Sequence, residues 1–191
     1  MKDGIKELQV LLKDTLDEDR YVHTIGVAYT AASMAMCHGA DMDKAFLAGL
    51  LHDCAKCYTN DEYLQICKEE GVPISVFEYE NPFLLHAKLG AHYAKKKYGV
   101  DDTEILSSIT YHTTGRPDMS LLELIIYIAD YIEPGRRVLP HMETIRALAF
   151  SNLNKCMVLI LENTIGYLKE KNRPIDQITN DTYEFYKKQV S

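Results

Sequence analysis

The sequence predicts an all-α fold, a compact helical bundle, and three observations carry that prediction. Apolar residues recur at spacings of three and four along most of the chain, no segment alternates convincingly with a period of two, and glycine or proline punctuates the chain at helix-length intervals. With 191 residues, 47% of them apolar, there is material for a full core in a single domain over residues 1–191.

The elements follow in order. Residues 4–16 place Ile5, Leu8, Leu12 and Leu16 on one stripe. That apolar face suits either the rest of its own domain or a second copy of the chain, so a homodimer stays open. A second helix runs from about Tyr21 to His38 and stops at Gly39, a natural C-cap. A third begins after Asp41 and carries Ala45, Leu47, Ala48, Leu50 and Leu51 up to His52-Asp53. A short polar helix follows Asn60 and ends at Gly71, and residues 72–80, with Pro73 and no helical period, predict a loop. Asn81-Pro82 marks the start of a helix reaching Tyr98 and Gly99. Asp101 and Glu104 have capping-box spacing and open a helix to Tyr111-His112, which the turn 113–117 breaks. Residues 120–133 form a strongly apolar helix ended by Pro134-Gly135. Helices over about 142–150 and 152–171 lead to Arg173-Pro174, and a last one follows Thr179.

Charge and composition narrow the function. A formal charge of −7 argues against a broad surface for a nucleic acid polymer but leaves room for a local basic pocket. Charged residues interrupt the amino-terminal apolar positions, so no signal peptide is expected. The most apolar stretch, 119–132, contains Glu123 and Asp130 and is too short to span a bilayer. These features predict a cytoplasmic protein without a membrane partner. The five cysteines have no framework spacing, so reduced thiols are expected. Cys54-Ala-Lys-Cys57 lacks both the second ligand pair of a structural zinc site and the neighbouring βαβ pattern of a thioredoxin-like redox site.

His52-Asp53 closes an apolar helix, where two polar side chains are costly unless they find partners. Asp130 lies among Ile125, Ile126, Ile128, Ala129 and Ile132, where an aspartate is almost never left unpaired. His23 lies at the start of the second helix, with His86 and His112 at the edges of two later ones. Helix-borne His and Asp side chains converging inside a bundle are a recurring way to hold a metal. Imidazole with carboxylate suits iron, manganese, nickel or zinc better than magnesium or calcium. His38, His92 and His141 fit other roles: a helix end, the opposite face of the His86 helix, and a Pro-flanked loop. Four of the six arginines (Arg20, Arg116, Arg136 and Arg137) lie close in sequence to these residues, and Lys56 follows Asp53 by three. Cations gathered round a metal in an acidic chain point to a phosphate-bearing substrate.

The series His23, His52-Asp53, His86, His112, Asp130 resembles the signature of HD-domain phosphohydrolases. The blocks RYVHTIGVAYTA, AGLLHDCAK, HAKLGA, YHTTGR and IYIADYIEPGR together resemble the symmetrical bis(5′-nucleosyl)-tetraphosphatase (YqeK) family of that superfamily, over a core of about residues 20–137. The resemblance implies hydrolysis of diadenosine tetraphosphate, a dinucleoside polyphosphate, to two ADP, with iron as the metal. By the same resemblance His23, His52, Asp53 and Asp130 ligate the principal metal. His86 and His112 face the phosphates or complete a second metal position, and Asp53, Lys56, His86 and His112 form the catalytic group. Arg20, Lys56, Thr113 and Arg136 contact phosphates or ribose, and Arg173 to Ile178, including Asp176, approaches the nucleoside. The tail departs from the family in lacking a histidine near Asp176. Rival readings keep the fold and metal for another nucleotide (a nucleotidase, a deoxynucleoside triphosphate hydrolase or a guanosine-alarmone hydrolase), or make the chain a nucleotide-binding sensor with little turnover.

Overall fold

A computed structural model describes residues 2–190. Among these the chain is all helix, with no strand: α1 (Lys2–Thr15), α2 (Glu18–His38), α3 (Met42–Leu51), α4 (Asn60–Glu70), α5 (Val76–Glu80), α6 (Leu85–Lys96), α7 (Thr103–Tyr111), α8 (Leu121–Ile132), α9 (Met142–Ala149), α10 (Leu153–Glu170) and α11 (Gln177–Val190). None is long and apolar enough to cross a membrane.

Local chemistry sets the boundaries. The Asp17 side chain accepts from the Arg20 N–H to start α2, and Gly39 ends it in the left-handed conformation at φ 72°. Thr59 with Glu62 and Ser120 with Glu123 form capping boxes at the heads of α4 and α8. Two expectations need correction. Residues 72–80 are not all loop, because Ser75 and Glu78 make a third capping box that nucleates α5. A single turn is too short to display a 3.6-residue period, so only its cap identified it. The cap of α7 is Asp102, not Asp101: its carboxylate accepts from the Glu104 and Ile105 N–H groups. Smaller shifts occur where Pro82 opens a 3₁₀ turn before α6, and where α11 starts at Gln177, ahead of Thr179.

The core lies between α2, α3, α7 and α8. Gly49 lets α3 press against α2, since a Cβ there would stand 2.8 Å from the Ala28 Cα. The apolar helix α8 runs through the centre, with Ile125, Ile126, Ile128 and Ala129 fully buried. Leu8 and Leu12 of α1, with Leu16 just after it, join this same core, so the amino-terminal helix packs on its own domain. All five cysteines are free thiols. The packing brings the second turn of α2, the end of α3, the start of α6, the end of α7 and the last turn of α8 to one place.

Candidate metal centre and active site

Four histidines and two aspartates meet there. His52 and Asp53 follow α3, His86 lies in the first turn of α6, and His112 caps α7, all buried to 3% exposure or less. His23 comes from α2 and Asp130 from α8.

Each imidazole is oriented through its Nδ1. That atom lies 2.7 Å from the Gly49 carbonyl in His52, 2.5 Å from the Phe83 carbonyl in His86 and 2.7 Å from the Ile109 carbonyl in His112. A carbonyl oxygen can only accept, so Nδ1 carries the proton and Nε2 turns a lone pair inward. His23 is held the same way by a carboxylate, its Nδ1 lying 3.0 Å from Glu133 Oε1.

The inward atoms crowd together. His23 Nε2 lies 2.9 Å from Asp130 Oδ1, and His52 Nε2 lies 3.4 Å from Asp53 Oδ2 and 3.8 Å from Asp130 Oδ1. Asp53 Oδ1 lies 3.3 Å from His86 Nε2 and 3.4 Å from His112 Nε2. Yet His23 Nε2, His52 Nε2 and Asp53 Oδ1 are buried without an aligned hydrogen bond. Buried lone pairs facing one another are costly unless a cation lies between them. Two overlapping groups have the spacing to hold a metal ion: His23, His52 and Asp130, and His52, Asp53 and His112. The donor set of imidazole and carboxylate, with Nδ1 protons tied outward, fits a transition metal.

The charges are set accordingly. Burial would raise the Asp53 and Asp130 carboxyls, yet both are held well below the ordinary value, with the Lys56 charge beside the first and the Arg136 charge beside the second. Burial and the Lys56 charge push His86 down to about 3, so its ring is neutral. Cations ring the opening. Arg20 Nη1 donates to Asp53 Oδ2 at 2.8 Å, Arg136 Nη2 to Asp130 Oδ1 at 2.6 Å, and Lys56 Nζ lies 3.1 Å from His86 Nε2. The Thr113 hydroxyl bridges His86 and His112, at 3.2 and 3.1 Å from their Nε2 atoms.

Beside Thr113 opens a cleft of about 210 Å³, bounded also by Leu84, Tyr111, Thr114, Asp176 and Ile178. Asp176 and Ile178 thus share a cleft with Thr113, while Arg173 stays exposed beyond α10 and does not line it. Two arginines diverge. Arg116, grouped with the centre by its place in the sequence, turns away to Glu123 with bonds of 2.9 and 2.7 Å. Arg137 is exposed. The other histidines stay outside: His38 reaches the Ala149 carbonyl, His92 pairs with Glu70, and His141 precedes α9.

Sequence reasoning missed Glu133. It is 3% exposed, orients His23, and accepts from the Gly135 N–H at 2.6 Å. Gly26 gives it room, since a Cβ there would stand 2.6 Å from Glu133 Oε2. The available signal was a glutamate closing the most apolar helix before Pro-Gly.

An all-helical bundle closing on a buried His/Asp centre defines an HD-domain protein, and residues 20–135 match the HD domain family. Two relatives carry the name symmetrical bis(5′-nucleosyl)-tetraphosphatase. One, from Bacillus subtilis, is 42% identical and covers 94% of this chain and 96% of its own; the other, from Halalkalibacterium halodurans, is 45% identical and covers 93% and 94%. A crystal structure from Clostridium acetobutylicum, described as a predicted HD superfamily hydrolase involved in NAD metabolism, superposes with a TM-score of 0.93 at 39% identity and covers 97% of each chain. The chain belongs to the HD-domain family and, within it, to the symmetrical bis(5′-nucleosyl)-tetraphosphatases.

Proposed function

We propose that the protein hydrolyses diadenosine tetraphosphate symmetrically to two ADP. One observation carries the reading: a buried set of inward lone pairs, ringed by Arg20, Lys56 and Arg136, adjoins a cleft closed by Asp176 and Ile178. That arrangement pairs a metal position with a phosphate path and a nucleoside pocket.

His23, His52, Asp53 and Asp130 would hold the principal metal, with iron favoured and manganese, nickel or zinc as alternatives. His86 and His112, whose inward nitrogens are lone pairs, suit a second metal position together with Asp53. The metal, when bound, supplies Lewis acidity toward a phosphoryl oxygen and lowers the pKa of water near neutral pH.

The chain's own residues do the rest. Arg20 and Arg136 each spend only part of a guanidinium on a carboxylate, so their remaining N–H groups can meet phosphate oxygens. Lys56, 35% exposed at its side chain, donates charge where the equatorial oxygens gather it. Thr113 fixes the phosphate chain at the cleft mouth, and Asp176 and Ile178 border the nucleoside. Water adds to one central phosphorus, the bridging P–O bond breaks, and the bridging oxygen leaves with the second ADP.

The test is product analysis after incubating the metal-loaded protein with diadenosine tetraphosphate. ADP as sole nucleotide product is expected. ATP with AMP, or no turnover by protein shown to hold metal, would overturn the reading.

A further inference from the structure

We propose that Glu78 and Lys88, which line the cleft beside Thr113, recognise the adenine of one nucleoside and make Glu78 the residue that selects adenine over guanine. The inference rests on the dinucleotide reading above. Cleft and centre share a wall: Thr113 lines the cleft, and its hydroxyl stands 3.2 and 3.1 Å from the inward Nε2 atoms of His86 and His112. At about 210 Å³ the cleft is smaller than sites for drug-sized ligands, about 300–1,000 Å³, so it takes one end of the substrate.

The lining suits an uncharged end. Glu78 and Asp176 both border the cleft and would repel a phosphate, whereas they accept hydrogen bonds from an amine or a sugar hydroxyl. Leu84, Ala87 and Ile178 supply apolar surface for the faces of a ring.

Glu78 is held in place and only half spent. It is 8% exposed, and its Oε2 accepts from the Ser75 N–H at 2.8 Å and from Lys88 Nζ at 2.7 Å. Among the described residues nothing donates to its Oε1. Lys88 Nζ also donates to the Pro73 carbonyl at 3.3 Å, which leaves one of its three N–H groups. The pair therefore offers one acceptor beside one donor, fixed by the cap of α5 on one side and by α6 on the other.

Adenine answers that pattern. One edge of its ring carries an exocyclic amine, a donor, beside N7, an acceptor. The same edge of guanine shows two acceptors, N7 and O6, and would set O6 against the Glu78 carboxylate. Guanine's other edge has two parallel donors, which ask for both oxygens of a carboxylate, and Oε2 is already taken.

The experiment measures kcat/KM for diadenosine and diguanosine tetraphosphate with metal-loaded wild type, Glu78→Gln and Lys88→Met. The ratio of the two compounds does not depend on the fraction of protein folded. Wild type is expected to prefer the adenine compound. A glutamine can turn its amide to donate to O6, so Glu78→Gln should lower that preference by about tenfold, within the discrimination of a paired contact to one purine edge. Lys88→Met should raise KM for both compounds alike, because N7 is common to both bases. A preference unchanged in Glu78→Gln, or a wild type that takes the guanine compound equally well, would overturn the recognition while leaving the reaction standing. Unchanged KM values in Lys88→Met would remove Lys88 from it. Metal-loaded wild type that hydrolyses neither compound would instead overturn the reaction, and the role of the pair with it.

Discussion

The centre and the turn between α7 and α8 both bury a carboxylate and draw an arginine to it, yet they do opposite things. Glu123 is 1% exposed, and its carboxylate is fully engaged: it accepts from Arg116 Nε and Nη2, from the Ser120 N–H and from the Ser107 hydroxyl. Arg116 also donates to the carbonyls of Pro117 and Asp118. Asp53 is 1% exposed too, but its Oδ1 has no aligned donor, and neither His23 Nε2 nor His52 Nε2 has one. A buried polar cluster with every atom matched locks a turn. One with matched outer atoms and orphaned inner ones is built around something that the side chains do not supply.

Replacing Asp53 by Ala should draw the contrast most strongly. Both metal content and turnover should vanish, as elemental analysis and the ADP assay would report; full activity would refute the ligand assignment. Glu133→Gln acts one step out, on the orientation of His23. Metal affinity or activity should fall by about 10–100-fold, read by metal titration, with folding retained.

Arg116→Ala should do the reverse, leaving metal stoichiometry intact while Glu123 is stranded. Its expected cost is about 2–3 kcal/mol in denaturant unfolding, below the figure for a fully buried pair because Arg116 is partly solvated. Acid should act on the same contact. Despite the opposing effect of burial, the hydrogen bonds from Arg116 and Ser107 hold the Glu123 carboxyl below its ordinary 4.5. The folded state therefore binds fewer protons here than the unfolded one. The contribution is fully present above about pH 4.5 and lost as pH falls through the folded value. Unfolding curves across that range should show the wild type losing stability more steeply than Arg116→Ala. Smallest is Ser75→Ala at the cap of α5, expected to cost about 1 kcal/mol in thermal unfolding and to leave metal content alone.

Much of this molecule could be read without coordinates. The stripe Leu8, Leu12, Leu16, the C-cap at Gly39, and the polar residues set into α3 and α8 are local patterns, and local hydrogen bonding and helix periodicity act within a few residues. His23, His52, Asp53, His86, His112 and Asp130 stood out for a related reason: polar groups at apolar helix positions or helix ends need partners. Partner choice is another matter. Arg20 and Arg116 each lie a few residues from a proposed ligand, and only packing sends one to Asp53, 33 positions away, and the other to Glu123. Glu133 meets His23 across 110 positions, through a gap that depends on Gly26 having no side chain. The sequence by itself determined the helices and the residues that require a partner, because burial and capping are dictated by near neighbours. Tertiary structure alone decided which partners they meet, because those distances are fixed by helices crossing far from one another in the chain.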